Sequence, residues 1–426
     1  MKEHLYILIL IPALTSILEL SLKKLGFKSK FAGILSIIAL LSCLTIVISQ
    51  DLSAATNSLL WIPGWGINFI ISMNGISAVV LPAILLVILC SVVISKSDEK
   101  DGLYYFFIML LTALVCGFCL SNNLIFKIFF WEACWVPIFC ISLYENKSIS
   151  AKSFSATWFI SESALLLGAI IIHGQLQEVS FWLFIIASYI RMMLFPVDKL
   201  TDRFSAEGSS GFSAIVNIIL PILPLLFIMQ VVLPSFQHQV TQYGSILYFV
   251  FLGSGLLRIF RSCFDKGLNS IINSQIIVFN SLFAGFILAT GQTSIGPILE
   301  LVTIKLLLGL VILFYGLESI RLGLNAKRPA TWIMITAVVL SFGLSGITFS
   351  KPMLSIISSI NITHKLSGLY SWALMLILLV LTSLRFTTAI AVKNKTTNSR
   401  PYASITMAIM ILLVITAVFL GYYDYV

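Results

Sequence analysis

Charge is what this sequence lacks. Asp, Glu, Lys and Arg make up 10% of its 426 residues, where a water-soluble globule carries about 25%. A soluble core would leave far more polar surface between its apolar runs, so a water-soluble enzyme or binding module is excluded. Histidine is also scarce: His4, His173, His238 and His364 are scattered near loop ends, without metal-ligand spacing. No Gly-rich phosphate motif follows a strand pattern, which removes the dinucleotide-fold and P-loop classes. The seven cysteines sit almost wholly in apolar runs. Cys116-Gly117-Phe118-Cys119 has the redox spacing but no polar or aromatic redox flanks, and small residues for helix packing account for it better. Neither a cofactor nor a metal is expected.

What is abundant is apolar length. Hydrophobic residues reach 59% and the mean hydropathy is +1.05. A helix needs roughly 20 apolar residues to cross a bilayer, and the chain offers about fourteen such runs. They lie near 5–22, 31–49, 75–96, 103–120, 122–144, 154–173, 179–196, 211–235, 244–261, 269–291, 296–318, 330–349, 366–387 and 402–422. The fold class expected is an all-α polytopic membrane protein with broken helices. The longest polar connections, near 50–74 and 197–210, are too short to build a soluble core, so the chain reads as one transmembrane domain over 1–426. The first run lacks a small-x-small cleavage site and does not read as a signal peptide.

The formal charge of +9 could suggest nucleic acid, but most of the 26 Lys and Arg fall in alternate loops. Lys23, Lys24, Lys28 and Lys30 form one cluster; Arg258, Arg261 and Lys266 another; Arg321, Lys327 and Arg328 a third. The positive-inside rule puts these loops in the cytoplasm and both termini on the periplasmic side of a bacterial inner membrane. The basic balance is topology, and no nucleic-acid partner is expected.

An ionisable residue inside a span is costly and is a functional hypothesis by default. Lys127, Glu300 and Arg385 read as boundary residues, Lys127 able to snorkel toward an interface. Glu132, Glu162, Arg191 and Lys305 lie deeper, and two acids with two bases inside a bundle can pair, as chains of charge do in ion carriers. Helix breaks accompany them. Pro196 follows Arg191 closely, Pro221, Pro224 and Pro234 interrupt the next run, and Gly343-Leu344-Ser345-Gly346 interrupts 330–349. Broken segments in corresponding halves point to an inverted-repeat core.

The order of motifs resembles the antiporter-like subunits of respiratory complex I and Mrp antiporters, in particular the complex I M subunit. Trp61-Ile62-Pro63, Gly66-Ile67 and Asn74-Gly75-Ile76-Ser77 resemble that family's W-x-P…G-I…D-G-I-S, with Asn for Asp. Asn122 to Pro137 resembles D-L-x-x-F-x-x-F-F-E-x-x-L-I-P, with Glu132 on the family glutamate. Phe195-Pro196, Ala206-Glu207 and Ser213 follow the spacing of F-P-x-H…A-E-A-P-T…S, Lys305 fits the F-K-A-L-L-F lysine, and Gly343 to Gly346 fit G-L-P-G. The resemblance implies two inverted repeats, 103–235 and 244–387, after N-terminal helices in 1–100 and before a C-terminal helix at 402–422.

Departures concern the charges. The lysine expected in the broken seventh span is Arg191, the one expected in the eighth falls at Ile222, and the acid of the twelfth falls at Met353 or Pro352. The resemblance implies a glutamate that tunes a titrating lysine in the seventh span. Arginine keeps its proton up to pH values above about 12 and cannot play that part. Arg191 would instead clamp Glu132, Glu162 or both. The expectation is therefore a membrane subunit of an ion-translocating assembly, not catalytic alone, with an impaired or altered proton route. Its partners would be other membrane subunits, the lipid bilayer, and protons or monovalent cations. An energy-coupling partner of a bicarbonate or carbon dioxide uptake system, a non-conducting scaffold and a standalone transporter remain the alternatives.

Overall fold

In the computed structural model the apolar runs form helices. Residues 5–49, 56–62, 67–94, 102–144, 151–172, 176–194, 196–198, 212, 215–262 and scattered positions from 274 to 291 are described. The order is α1 (Ile7–Lys24), α2 (Ser29–Ser49), β1 (Thr56–Ile62), β2 (Ile67–Ser72), α3 (Gly75–Ile94), α4 (Gly102–Leu120), α5 (Leu124–Ala133), α6 (Trp135–Tyr144), α7 (Ala151–Ile171) and α8 (Gln177–Arg191). A helical stretch follows from Ile215 to Ser235, with α9 (Leu220–Phe227) between π-helical turns Ile215–Ile219 and Ile228–Val232. Next comes α10 (Gln237–Ser262). Ser29–Ile48, Gly75–Val93, Gly102–Leu120, Leu124–Tyr144 and Gln237–Arg258 are long and apolar enough to cross a bilayer. The chain is a multi-pass membrane protein. It divides into two compact units, Met1–Arg191 with Glu207–Val231, and Met192–Ala206 with Val232–Val426.

Helix faces show which solvent they were built for. On α1 the inward face carries Leu8, Pro12, Thr15, Ser16 and Glu19, while Leu10, Leu14, Ile17 and Leu18 point outward. On α2 the outward residues include Phe31, Ile34, Ile38, Leu41 and Ile48, spaced at helical intervals along one stripe. In water this polarity would be reversed. An outer face more apolar than the inner one requires an apolar medium, which is lipid.

Caps explain two of the sequence motifs. Asn74 starts α3 by accepting from the Ser77 amide at 2.8 Å. Asn123 starts α5 by accepting from the Ile125 amide at 2.9 Å. A short polar side chain at these positions satisfies amides that the first helical turn leaves open, and Asn or Asp serves equally. The connection expected as polar loop at 50–74 contains an antiparallel hairpin, β1 against β2, with an irregularity between Leu60 and Ile62. This departs from the all-α expectation. The hairpin is anchored where Asn122 donates its amide to the Ile70 carbonyl at 3.0 Å.

Prolines set the breaks. The expected run 122–144 is interrupted at Cys134: Pro137 has no N–H for the Ala133 carbonyl, and its ring crowds that carbonyl. Around Pro221, Pro224 and Pro234 the chain stays helical but widens into π turns, which relieve the same clash. Close helix contact elsewhere depends on glycine. A Cβ built on Gly117 of α4 would collide with the Phe130 ring of α5. Gly117→Ala is therefore expected to cost about 1–3 kcal/mol through overpacking. Thermal unfolding in detergent checks this, and Gly117→Ala with Phe130→Leu should recover most of the loss.

Candidate functional site

Glu132 lies in the last turn of α5, just before the interruption forced by Pro137. Arg191 is the final residue of α8, where the helix dipole favours a cation. The expected run 179–196 ends there because Met193 adopts φ 54°, a left-handed conformation that stops the helix. Pro196 then sits outside the helix in a turn closed by Val197 N–H to the Leu194 carbonyl at 2.8 Å. Such conformations in non-glycine residues cost about 1–2 kcal/mol and persist where the surroundings impose them.

These two elements bring Arg191 onto Glu132. Nη2 donates to both Oε1 and Oε2 at 2.8 Å. The arginine side chain is 2% exposed and the glutamate 15%. One nitrogen bridges two oxygens here, rather than two nitrogens forming a fork. Arg191 Nε donates to Ser161 Oγ at 2.7 Å, and its guanidinium lies 4.8 Å from the Trp135 ring centroid. Trp158 Nε1 adds a donor to Glu132 Oε2 at 3.1 Å. Glu162 is half-buried in the field of Glu132 and Arg191 and makes no ion pair among the described residues. Of the open alternatives, the clamp is on Glu132.

Ile222 and Pro221 are both buried within α9. Lys305, Gly343, Gly346 and Met353 lie outside the described residues.

Five polar side chains were missed or misplaced from sequence alone. Glu19 is fully buried on α1 and accepts from Ser36 Oγ of α2 at 2.5 Å. It stood in an expected span and was legible as an intramembrane acid. Lys127, read as a snorkelling boundary residue, is 3% exposed and turns inward to Gln230. Arg258 and Arg261, read as loop charges, are in α10. Arg258 Nη1 lies 2.7 Å from Asp198 Oδ2, both side chains having no exposure. Arg261 Nη1 lies 3.1 Å from the other oxygen, Oδ1. Arg258 is buried with Asp198, which lies far away in sequence and supplies its counter-charge, while Arg261 stays partly exposed. Trp158 carried no signal at all.

No protein-family model matches the chain. NADH-quinone oxidoreductase subunit M of Buchnera aphidicola subsp. Acyrthosiphon pisum is 30% identical over 99 residues, 22% of this chain and 20% of that protein. The subunit M of Buchnera aphidicola subsp. Schizaphis graminum is 27% identical over 180 residues, 38% of this chain and 34% of that protein. The matched stretches thus span about a fifth to a third of these curated relatives. A chain of respiratory complex I from Thermus thermophilus superposes with a TM-score of 0.80 at 16% identity, covering 99% of this chain and 97% of that one. A chain of the Mrp complex from Dietzia sp. DQ12-45-1b gives 0.76 at 16% identity, covering 92% and 80%. These stretches of sequence resemble subunit M of NADH-quinone oxidoreductase, and the fold is similar to that of chains in complex I and the Mrp complex.

Proposed function

We propose that this chain is a membrane-arm subunit of a complex I- or Mrp-like ion-translocating assembly, similar to subunit M of NADH:quinone oxidoreductase, with its usual proton route impaired. The reading includes about fourteen spans in two inverted repeats. It also includes an inner-membrane location with both termini periplasmic. The partners are neighbouring membrane subunits, and the cargo of the assembly is protons or monovalent cations. The observation that carries it is the contact of Arg191 Nη2 with both Glu132 oxygens. A lysine at that place could release its proton when the carboxylate turned away. The guanidinium keeps its proton, so the pair stays closed. The apolar Ile222 at the next relay position points the same way.

Reconstitution into vesicles with an enclosed pH-sensitive dye tests this. Wild type should conduct protons no faster than protein-free vesicles, and Arg191→Lys should raise the flux. Robust wild-type flux that survives Glu132→Gln and falls on Arg191→Ala would overturn the reading. The closed pair equally favours a second reading, a non-conducting scaffold subunit, and a silent Arg191→Lys variant would select it.

A further inference from the structure

A second polar cluster is built around Lys127, in the first turn of α5. Its Nζ donates to Gln230 Oε1, and lies 5.4 Å from the centroid of the Phe118 ring. Gln230 Nε2 donates to Ser77 Oγ at 3.2 Å, and Ser77 Oγ donates to the Cys119 carbonyl at 2.5 Å. Four elements meet here: the start of α5, the start of α3, the end of α4, and the π-helical turn Ile228–Val232 that carries Gln230.

Among the described residues, no acid faces this lysine. Helices α3, α4 and α6 and the whole stretch 215–235 contain no Asp, Glu, Lys or Arg. The titratable group facing Lys127 from α4 is Cys119. On its own helix Glu132 is engaged by Arg191, and on α7 Glu162 lies in the field of that pair. Among the described residues, the lysine meets a neutral amide and an aromatic face.

We propose that Lys127 is a proton-binding site of this chain, switched by the side-chain amide of Gln230 and separate from the Glu132–Arg191 pair. The glutamine amide suits both states of the lysine because it carries an acceptor and a donor on one pivot. With the ammonium present, Oε1 accepts from Nζ, as observed. When the ammonium gives one proton to a water molecule, the products are a neutral amine with its lone pair and a hydronium ion. The amide then turns over: its N–H donates to the amine, and Oε1 accepts from the Ser77 hydroxyl, which releases the Cys119 carbonyl. Reprotonation from water reverses each step. A carboxylate in place of Gln230 would hold the ammonium by charge, and an arginine in place of Lys127 would not give up the proton. The π turns matter because a widened helix interrupts the regular ladder at the residue that must move, as such turns do at functional sites.

The test is solid-state NMR of the full chain in lipid bilayers with 15N-labelled lysine. The Lys127 Nζ signal is assigned by its loss in Lys127→Met, or in the charge-keeping Lys127→Arg if the first variant does not fold. The signal is expected to change between ammonium and amine positions in a titration kept below about pH 10, a range in which ordinary lysines stay charged. Gln230→Glu is expected to move that midpoint upward by about 1–3 pH units. A signal fixed at the ammonium position throughout overturns the proposal, and so does a midpoint indifferent to Gln230→Glu. The outcome is independent of the assembly reading, which Arg191→Lys addresses by flux.

Discussion

Asp198→Ala is expected to destabilise the chain by about 3–5 kcal/mol, because it removes the carboxylate that faces a charged arginine in a site without solvent. Asp198 and Arg258 both have no exposed side-chain surface and meet at 2.7 Å. Removing the carboxylate leaves the Arg258 guanidinium charged, since arginine does not give up its proton. Asp198→Asn should lose nearly as much, as it keeps the shape but not the charge. Arg261 differs, its side chain being 29% exposed. Its contribution is screened, and Arg261→Ala should cost about 1 kcal/mol or less. The readout is the midpoint of SDS-induced unfolding. Replacing both partners, Asp198→Leu with Arg258→Met, should recover most of the loss, because a well-packed apolar pair avoids the desolvation of both ions. Equal losses for Asp198→Ala and Arg261→Ala would sink the argument.

Glu132→Gln is expected to cost about 3 kcal/mol, the lower end for a broken buried pair, since the glutamate keeps some solvent. Arg191 would retain Ser161 and the Trp135 face, which hold the guanidinium in place without neutralising it. Combined with Arg191→Met, the cycle should give a coupling of about 2–3 kcal/mol. The parallel cycle with Glu162→Gln should give well under about 1 kcal/mol, the scale of a partly solvated charge without direct contact. If Glu162 couples to Arg191 more strongly than Glu132 does, the clamp has been assigned to the wrong acid. The same cycle bears on function. A coupling of this size would have to be overcome each time the carboxylate turned away, which is how the pair would hold a proton switch closed.

The two predictions rest on different kinds of legibility. Glu132 and Arg191 were visible in the sequence because each interrupts an apolar run, where a charge needs a reason. That they meet each other, rather than Arg191 meeting Glu162, was not. Glu132 and Glu162 lie in the two apolar runs that precede that of Arg191, and choosing between them needs the rotation of α5 and α7 about their axes. Asp198 lies just past the end of the expected run 179–196, and nothing in the local pattern tied it to Arg258. The positive-inside count misread Arg258 for that reason: a composition rule sees an arginine near the end of a run and cannot see a carboxylate 60 residues earlier in the chain.

What the sequence by itself determined was the solvent and the local geometry. Scarcity of charge and long apolar runs made the chain a membrane protein. Asn74 and Asn123 began helices, and Pro137, Pro196, Pro221 and Pro224 marked where the regular ladder would fail. Each follows from residues within a turn or two of one another. The tertiary structure decided the partners: Arg191 with Glu132, Arg258 with Asp198, Lys127 with Gln230. In lipid, a buried charge must find its counter-group on whichever helix packs against it. That choice depends on helix rotation and depth, which hydrophobic periodicity only loosely constrains when the outer face is as apolar as the core.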